Sequence, residues 1–138
     1  MYEYKCKVTK IIDGDTIDVN IDLGFDVVLY KQRIRLYGID TPESRTRDKE
    51  EKVRGLLSKK YLKQHCPKGS TIKLISHEKG KFGRILGSLY VGDSEASIND
   101  IMVQEHYAVA YTGQSKDDIA DAHLENKKKL IEKGVLDG

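Results

Sequence analysis

The hydrophobic period of this chain changes about a third of the way along. Tyr2, Tyr4, Cys6 and Val8 alternate with polar residues, and Ile17, Val19 and Ile21 do so again after an Asp-Gly-Asp turn. Alternation puts successive side chains on opposite faces of an extended chain, so two strands joined at Asp13-Gly14 are predicted. Leu23-Gly24-Phe25-Asp26 marks a further turn, and Val27 to Tyr37 returns to strand character, with Ile34 and Leu36 set between Arg33, Arg35 and Tyr37. The result is a three-stranded meander ending at Gly38.

From Asp48 the period becomes helical. Val53, Leu56, Leu57 and Tyr61 recur at helical spacing, Asp48 stands three residues before Glu51 as in a capping box, and Pro67 and Gly69 end the segment. Thr71 to Ser76 and Ile85 to Val91 read as two more strands around a basic connection, Lys79-Gly80-Lys81-Phe82-Gly83-Arg84. Two helices close the chain, opening on the cap signals Ser97 with Asp100 and Ser115 with Asp118, and Gly134 caps the last. Three strands, a helix, two strands and two helices predict an α+β fold, a five-stranded OB-fold Greek-key barrel with three α-helices. The alternative is a small α+β sheet that does not close.

Length and composition narrow this further. The 138 residues are enough for one core, so a single domain over residues 1–138 is expected. With 38% hydrophobic and 33% charged residues and a mean hydropathy of -0.54, the chain reads as a charged, folded globule. No segment approaches the roughly 18 apolar residues of a membrane span, and the N-terminal MYEYKCK lacks the apolar core of a signal peptide. A soluble monomer is expected, cytoplasmic unless a signal has been trimmed away. Cys6 and Cys66, far apart and outside any CxxC, are expected to be buried small hydrophobes rather than a disulfide or metal site. A net charge of +2 does not by itself announce a nucleic-acid partner. One local excess stands out: Arg45, Arg47, Lys49, Lys52, Arg54, Lys59, Lys60 and Lys63 against Asp48, Glu50 and Glu51. It is either a solvated helix face laced with ion pairs or a surface turned towards phosphates.

The candidate chemistry sits in two acidic turns. Asp13-Gly14 is ordinary hairpin chemistry, but the turn does not require Asp15 after the glycine. Arg33 to Glu43 reads RIRLYGIDTPE, a cationic strand running into two carboxylates, a hydroxyl and a proline. Singly, Arg35 could face solvent and Asp40-Thr41-Pro42-Glu43 could be a plain loop turn. Together they supply what phosphodiester cleavage needs. A hard cation such as Ca²⁺ takes oxygen ligands, which Asp15, Asp40 and the Thr41 carbonyl offer. Glu43, beyond those ligands, can orient or deprotonate a water. Arg35 and Arg84 can meet the charge that builds on phosphate oxygens. Asp13 is either a carboxylate standing behind the metal ligands or simply the turn's aspartate. His65, His77, His106 and His123 lack zinc-ligand spacing, Gly80-Lys81 lacks the rest of a P-loop, and no Gly-x-Ser-x-Gly occurs.

In its DGDT turn, its RLYGIDTPE strand and loop and its later FGR, spaced as they are, the chain resembles the staphylococcal nuclease (thermonuclease-like) family from about Val8 to about Lys129. The resemblance implies Ca²⁺ on Asp15, Asp40 and the Thr41 carbonyl, water handling by Glu43, and phosphate binding by Arg35 and Arg84. It implies a nuclease acting on DNA and RNA with little sequence preference and leaving 3′-phosphate ends. The nucleotide-binding set would be Lys81, Phe82 and Tyr111. Here the chain departs from the family pattern, with Phe82 where a tyrosine is usual and Gly113 where a second later tyrosine is common. The loop after Glu43 is shorter than in the best-known member, and no tryptophan follows the last helix, which leaves Leu124, Leu130 and Ile131 to hold that helix. Two other function classes compete: a catalytically inactive module of this fold that binds nucleic acid or protein, and a plain OB-fold single-strand binder. Retention of Asp15, Arg35, Asp40, Glu43 and Arg84 argues against the first. An aromatic content of 7% argues against the second.

Overall fold

The structure, a computed structural model, describes residues 2–79 and 83–137. Strands β1 (Tyr2–Asp13), β2 (Thr16–Asp22) and β3 (Val28–Leu36) form the expected meander, followed by a short β4 (Ile39–Asp40) and helix α1 (Lys49–His65). Strands β5 (Thr71–Lys79) and β6 (Ile85–Tyr90), helix α2 (Ile98–Gln104), a short β7 (Val109–Ala110) and helix α3 (Lys116–Glu132) complete the order. The sheet closes in the order β1-β2-β3-β6-β5, with β5 antiparallel to β1 and β3 parallel to β6. This is the five-stranded barrel with three helices, not the open sheet. The register of β1 against β2 shifts between Val8 and Lys10 and again between Ile11 and Asp13, and at the second shift Ile11 and Ile12 are both buried where strict alternation would expose one. The β4–β7 pair, two residues a side, is too short to leave a periodic signal in the sequence.

The barrel is filled by Val8, Ile17, Val19, Ile34, Leu36, Leu74 and Leu89, and Leu62 and Cys66 from the end of α1 join the same cluster. Both cysteines are free and buried, as expected.

Helix α1 departs from its predicted packing. Its buried residues are Arg54, Gly55, Ser58 and Leu62, whereas Val53 and Leu56 are exposed. The cause is close approach. A Cβ on Gly55 would lie 2.3 Å from the Glu43 carbonyl oxygen, and one on Gly14 would lie 2.8 Å from Ser58 Cβ. Small residues therefore set the face that α1 turns inward. Gly14 serves this proximity and not a positive φ, since it is absent from the residues that adopt one. Leu124 on α3 is likewise exposed; Leu130, His123 and a 3.0 Å hydrogen bond from Asn126 Nδ2 to the Ala108 carbonyl hold that helix. Gly134, at φ 75°, follows the helix end as predicted.

Candidate active site

Strand register brings the two acidic turns together. Thr16 pairs with Arg35 across β2 and β3, so Asp15, in the turn just before Thr16, sits next to Arg35, and the Leu36 amide donates to the Asp15 carbonyl at 2.8 Å. The Arg35 guanidinium then reaches both acids. Nη1 lies 3.1 Å from Asp15 Oδ2 and Nη2 lies 3.5 Å from Asp40 Oδ1. Nη1 also donates to the carbonyls of Ile39 at 3.0 Å and Leu36 at 3.3 Å. With its side chain 19% exposed, Arg35 is a fixed cation at the barrel rim and does not face open solvent. Asp15 is held further by the Thr16 hydroxyl at 3.0 Å and the Thr41 amide at 3.3 Å.

The loop that carries Glu43 is tied to α1 and to the first turn. Asp48 caps α1 by accepting from the amides of Glu50 and Glu51, each at 3.1 Å. The reciprocal half of the capping box is not made: Glu51 Oε2 instead accepts from the Glu43 amide at 2.9 Å. The Ser44 hydroxyl donates to Asp13 Oδ1, so Asp13 anchors the residue after Glu43. Gly55 lets the helix lie directly against this backbone. Desolvation first, then repulsion from Asp15, Asp13, Asp40 and Glu51, raises the pKa of the exposed Glu43 carboxyl above its ordinary value. That direction makes it a better proton acceptor.

One residue at the site carries no motif. His123 Nε2 lies 2.8 Å from Asp40 Oδ2, fixing the carboxylate oxygen that Arg35 does not hold. His123 is 9% exposed, and its buried Nδ1 has no hydrogen-bond partner among the described residues. Histidine spacing carries no zinc-ligand pattern and singles out none of the four. The usable signal is the position of His123 on the buried stripe of α3, one turn after Ile119 and two before Leu130.

Arg84 and Tyr111 line a cavity of about 830 Å³ together with Arg35, Asp40 and Glu78. The Tyr111 amide donates to the Gly38 carbonyl at 2.7 Å, which sets the tyrosine beside the β3–β4 turn. Lys81 and Phe82 lie outside the described residues. Asp15, Asp40 and the Thr41 carbonyl offer oxygen donors only, which suits a hard divalent cation. Among the described residues no group of three or more His, Cys, Asp or Glu side chains is arranged to hold a metal ion. The fit therefore rests on two carboxylates and a carbonyl, with water for the remaining positions.

An OB-type barrel bearing an arginine-bridged pair of carboxylates and a third acid of raised pKa defines a class of phosphate-handling proteins. Within that class the chain belongs to the staphylococcal nuclease homologue family, whose profile matches residues 33–134. It is 30% identical over 129 residues to an uncharacterized endonuclease of Escherichia coli, covering 94% of this chain and 74% of that protein. It is 32% identical over 116 residues to a micrococcal nuclease of Shigella flexneri, covering 79% of this chain and 59% of that protein. To a thermonuclease of Staphylococcus intermedius it is 32% identical over 87 residues, covering 62% and 48%. The chain thus spans about half to three-quarters of the length of these curated relatives. Family membership supports nuclease activity and nucleic acid as substrate. No helix among the described residues is long and apolar enough to cross a membrane.

Proposed function

We propose that this chain is a Ca²⁺-dependent nuclease that hydrolyses DNA and RNA with little sequence preference and leaves 3′-phosphate ends. The observation that carries the reading is the Arg35 guanidinium within 3.5 Å of both Asp15 and Asp40, beside a loop that presents Glu43. Asp15, Asp40 and the Thr41 carbonyl would hold the cation. When bound, it supplies charge neutralisation and Lewis-acid polarisation at the phosphate. Arg35 and Arg84 hold the scissile phosphate and stabilise the negative charge that grows on its oxygens. Glu43 accepts a proton from the attacking water or orients it, favoured by its raised pKa. His123 and the Thr41 amide orient the two aspartates, and Tyr111 offers a ring face to a base.

The test is incubation of the purified chain with denatured DNA and with RNA, in Ca²⁺, in Mg²⁺ and in chelator. Degradation of both polymers in Ca²⁺, with 3′ ends that a polymerase extends only after phosphatase treatment, is the expected result. Degradation in chelator would sink the metal requirement, and intact substrate under every cation would sink the nuclease reading.

A further inference from the structure

A second cavity, of about 690 Å³, opens between α1 and the far end of α3, with Val53 and Leu57 in its walls and Arg54, Lys60 and Lys127 as its cations. Arg54 is the feature that needs explaining. Of the basic residues between Arg45 and Lys63, it alone is buried. It is 9% exposed, and its buried Nε and Nη1 have no hydrogen-bond partner among the described residues. A guanidinium cannot shed its charge as a lysine or histidine can, so burying it unpaired is expensive. The acid on the same wall, Glu50, is engaged by Lys127, and Asp137 stands at the exposed rim. A site that keeps an arginine unpaired gains most when an anion arrives.

The cavity is also placed to serve the candidate active site. Arg54 precedes Gly55, which lies against the Glu43 backbone, and Glu50 precedes Glu51, which holds the Glu43 amide. On α3, Lys127 stands one turn beyond His123, which holds Asp40. Neighbouring residues of α1 thus face the site and the cavity in turn, and on α3 His123 and Lys127, four residues apart, lie on one face a single turn from each other.

We propose that this cavity binds a backbone phosphate of the same nucleic-acid strand, a few nucleotides from the bond being cut, with Arg54 as anchor and Lys60 and Lys127 as flanking cations. The inference rests on the nuclease reading, and it assigns the basic run of α1 a split role: Arg54 and Lys60 face phosphate, and the others form a solvated face. Apolar walls beside the cations suit the sugar and base that accompany each phosphate.

The experiment measures binding of a long single-stranded oligonucleotide by fluorescence anisotropy in chelator, where metal-dependent cleavage is blocked, for the wild type, Arg54→Met and Lys60→Gln. Arg54→Met is expected to weaken binding about tenfold or more, and each variant should flatten the slope of log affinity against log salt by about 0.7. Cleavage of a dinucleotide, too short to reach the cavity, should keep its kcat/KM in both variants. Free Arg54→Met should melt at or above the wild-type temperature, because it removes a buried unpaired charge. Unchanged binding and slope in both variants would overturn the proposal. So would an equal loss on the dinucleotide, which would mean that Arg54 acts through Gly55 and the Glu43 loop, or a marked fall in Tm, which would give the guanidinium a folding role. A wild type that binds the oligonucleotide but cleaves nothing under any cation would sink the nuclease reading and leave the phosphate site standing.

Discussion

Glu43 is surrounded by charges of its own sign. Asp13, Asp15, Asp40 and Glu51 all raise its pKa, after desolvation, and Arg35 is committed to two of those acids. An acid whose folded pKa exceeds its unfolded value keeps its proton longer in the native state. Its contribution to stability is then fully present below the ordinary value of 4.5 and is lost as pH rises through the folded pKa. Glu43→Gln should therefore raise Tm in chelator at neutral pH, and the gain should vanish in acid. The gain is bounded at about 1 kcal/mol because the carboxyl is largely solvated. Thermal melts of both proteins between about pH 4 and pH 8 check this, and coincident curves at every pH would refute it. The same variant should lose on the order of 10²-fold or more in turnover. A residue that destabilises the free protein while serving the reaction is expected at a site built to meet a cation. Asp15, Asp40 and Glu43 are legible as candidates because turn geometry alone does not call for so many acids, and Arg35 and Thr41 because they stand in the same strand and loop with a cation and a carbonyl to offer. The contact from His123 to Asp40 is not legible, because it spans most of the chain and follows no local spacing.

At the scale of elements, the joint between α1 and the Glu43 loop sets propensity against packing. Alanine in place of Gly55 would favour an isolated helix by about 1 kcal/mol. In this fold its Cβ would lie 2.3 Å from the Glu43 carbonyl oxygen and 2.5 Å from the Glu43 carbonyl carbon, and backbone cannot swing aside as a side chain can. Overpacking of this kind costs about 1–3 kcal/mol, so Gly55→Ala should be net destabilising. Because the helix or the loop must shift, turnover should fall as well, through the position of Glu43. Urea denaturation and single-turnover kinetics read the two effects; a more stable, fully active variant would show that the joint has slack. The same joint explains why α1 was recognisable as a helix while its inward face was not. Val53 and Leu56 carry the apolar signal yet point outward, and the buried face is chosen by a glycine and a serine whose value is their smallness. The strands were easier. Alternation survives in β2 and in the second half of β3, and it fails in β1 only towards its end, where the two register shifts intervene.

For the whole molecule, closure of the barrel depends on the parallel pairing of β3 with β6 and on β1 reaching β5, contacts between segments distant in the chain. Local pattern predicts the strands, but only the order of elements hints at how they join. Closure has a measurable consequence through the two cysteines. Cys6 lies in β1 and Cys66 caps the end of α1, and both belong to one core cluster. Burial pushes each thiol up to about 12, so native thiolate is scarce and modification requires opening. Cys6→Ala and Cys66→Ala each leave one reporter. If barrel and α1 unfold as a unit, alkylation at pH ~8 should give both thiols the same opening free energy, equal to the global value from each variant's own denaturant melt. A Cys66 that reacts well ahead of Cys6 would show that the end of α1 opens by itself. Raising the pH adds a second reading. Unfolded thiols ionise near 9.0 while the folded ones keep their protons to about 12, so stability should fall as pH rises through that window, and by less in either single-cysteine variant.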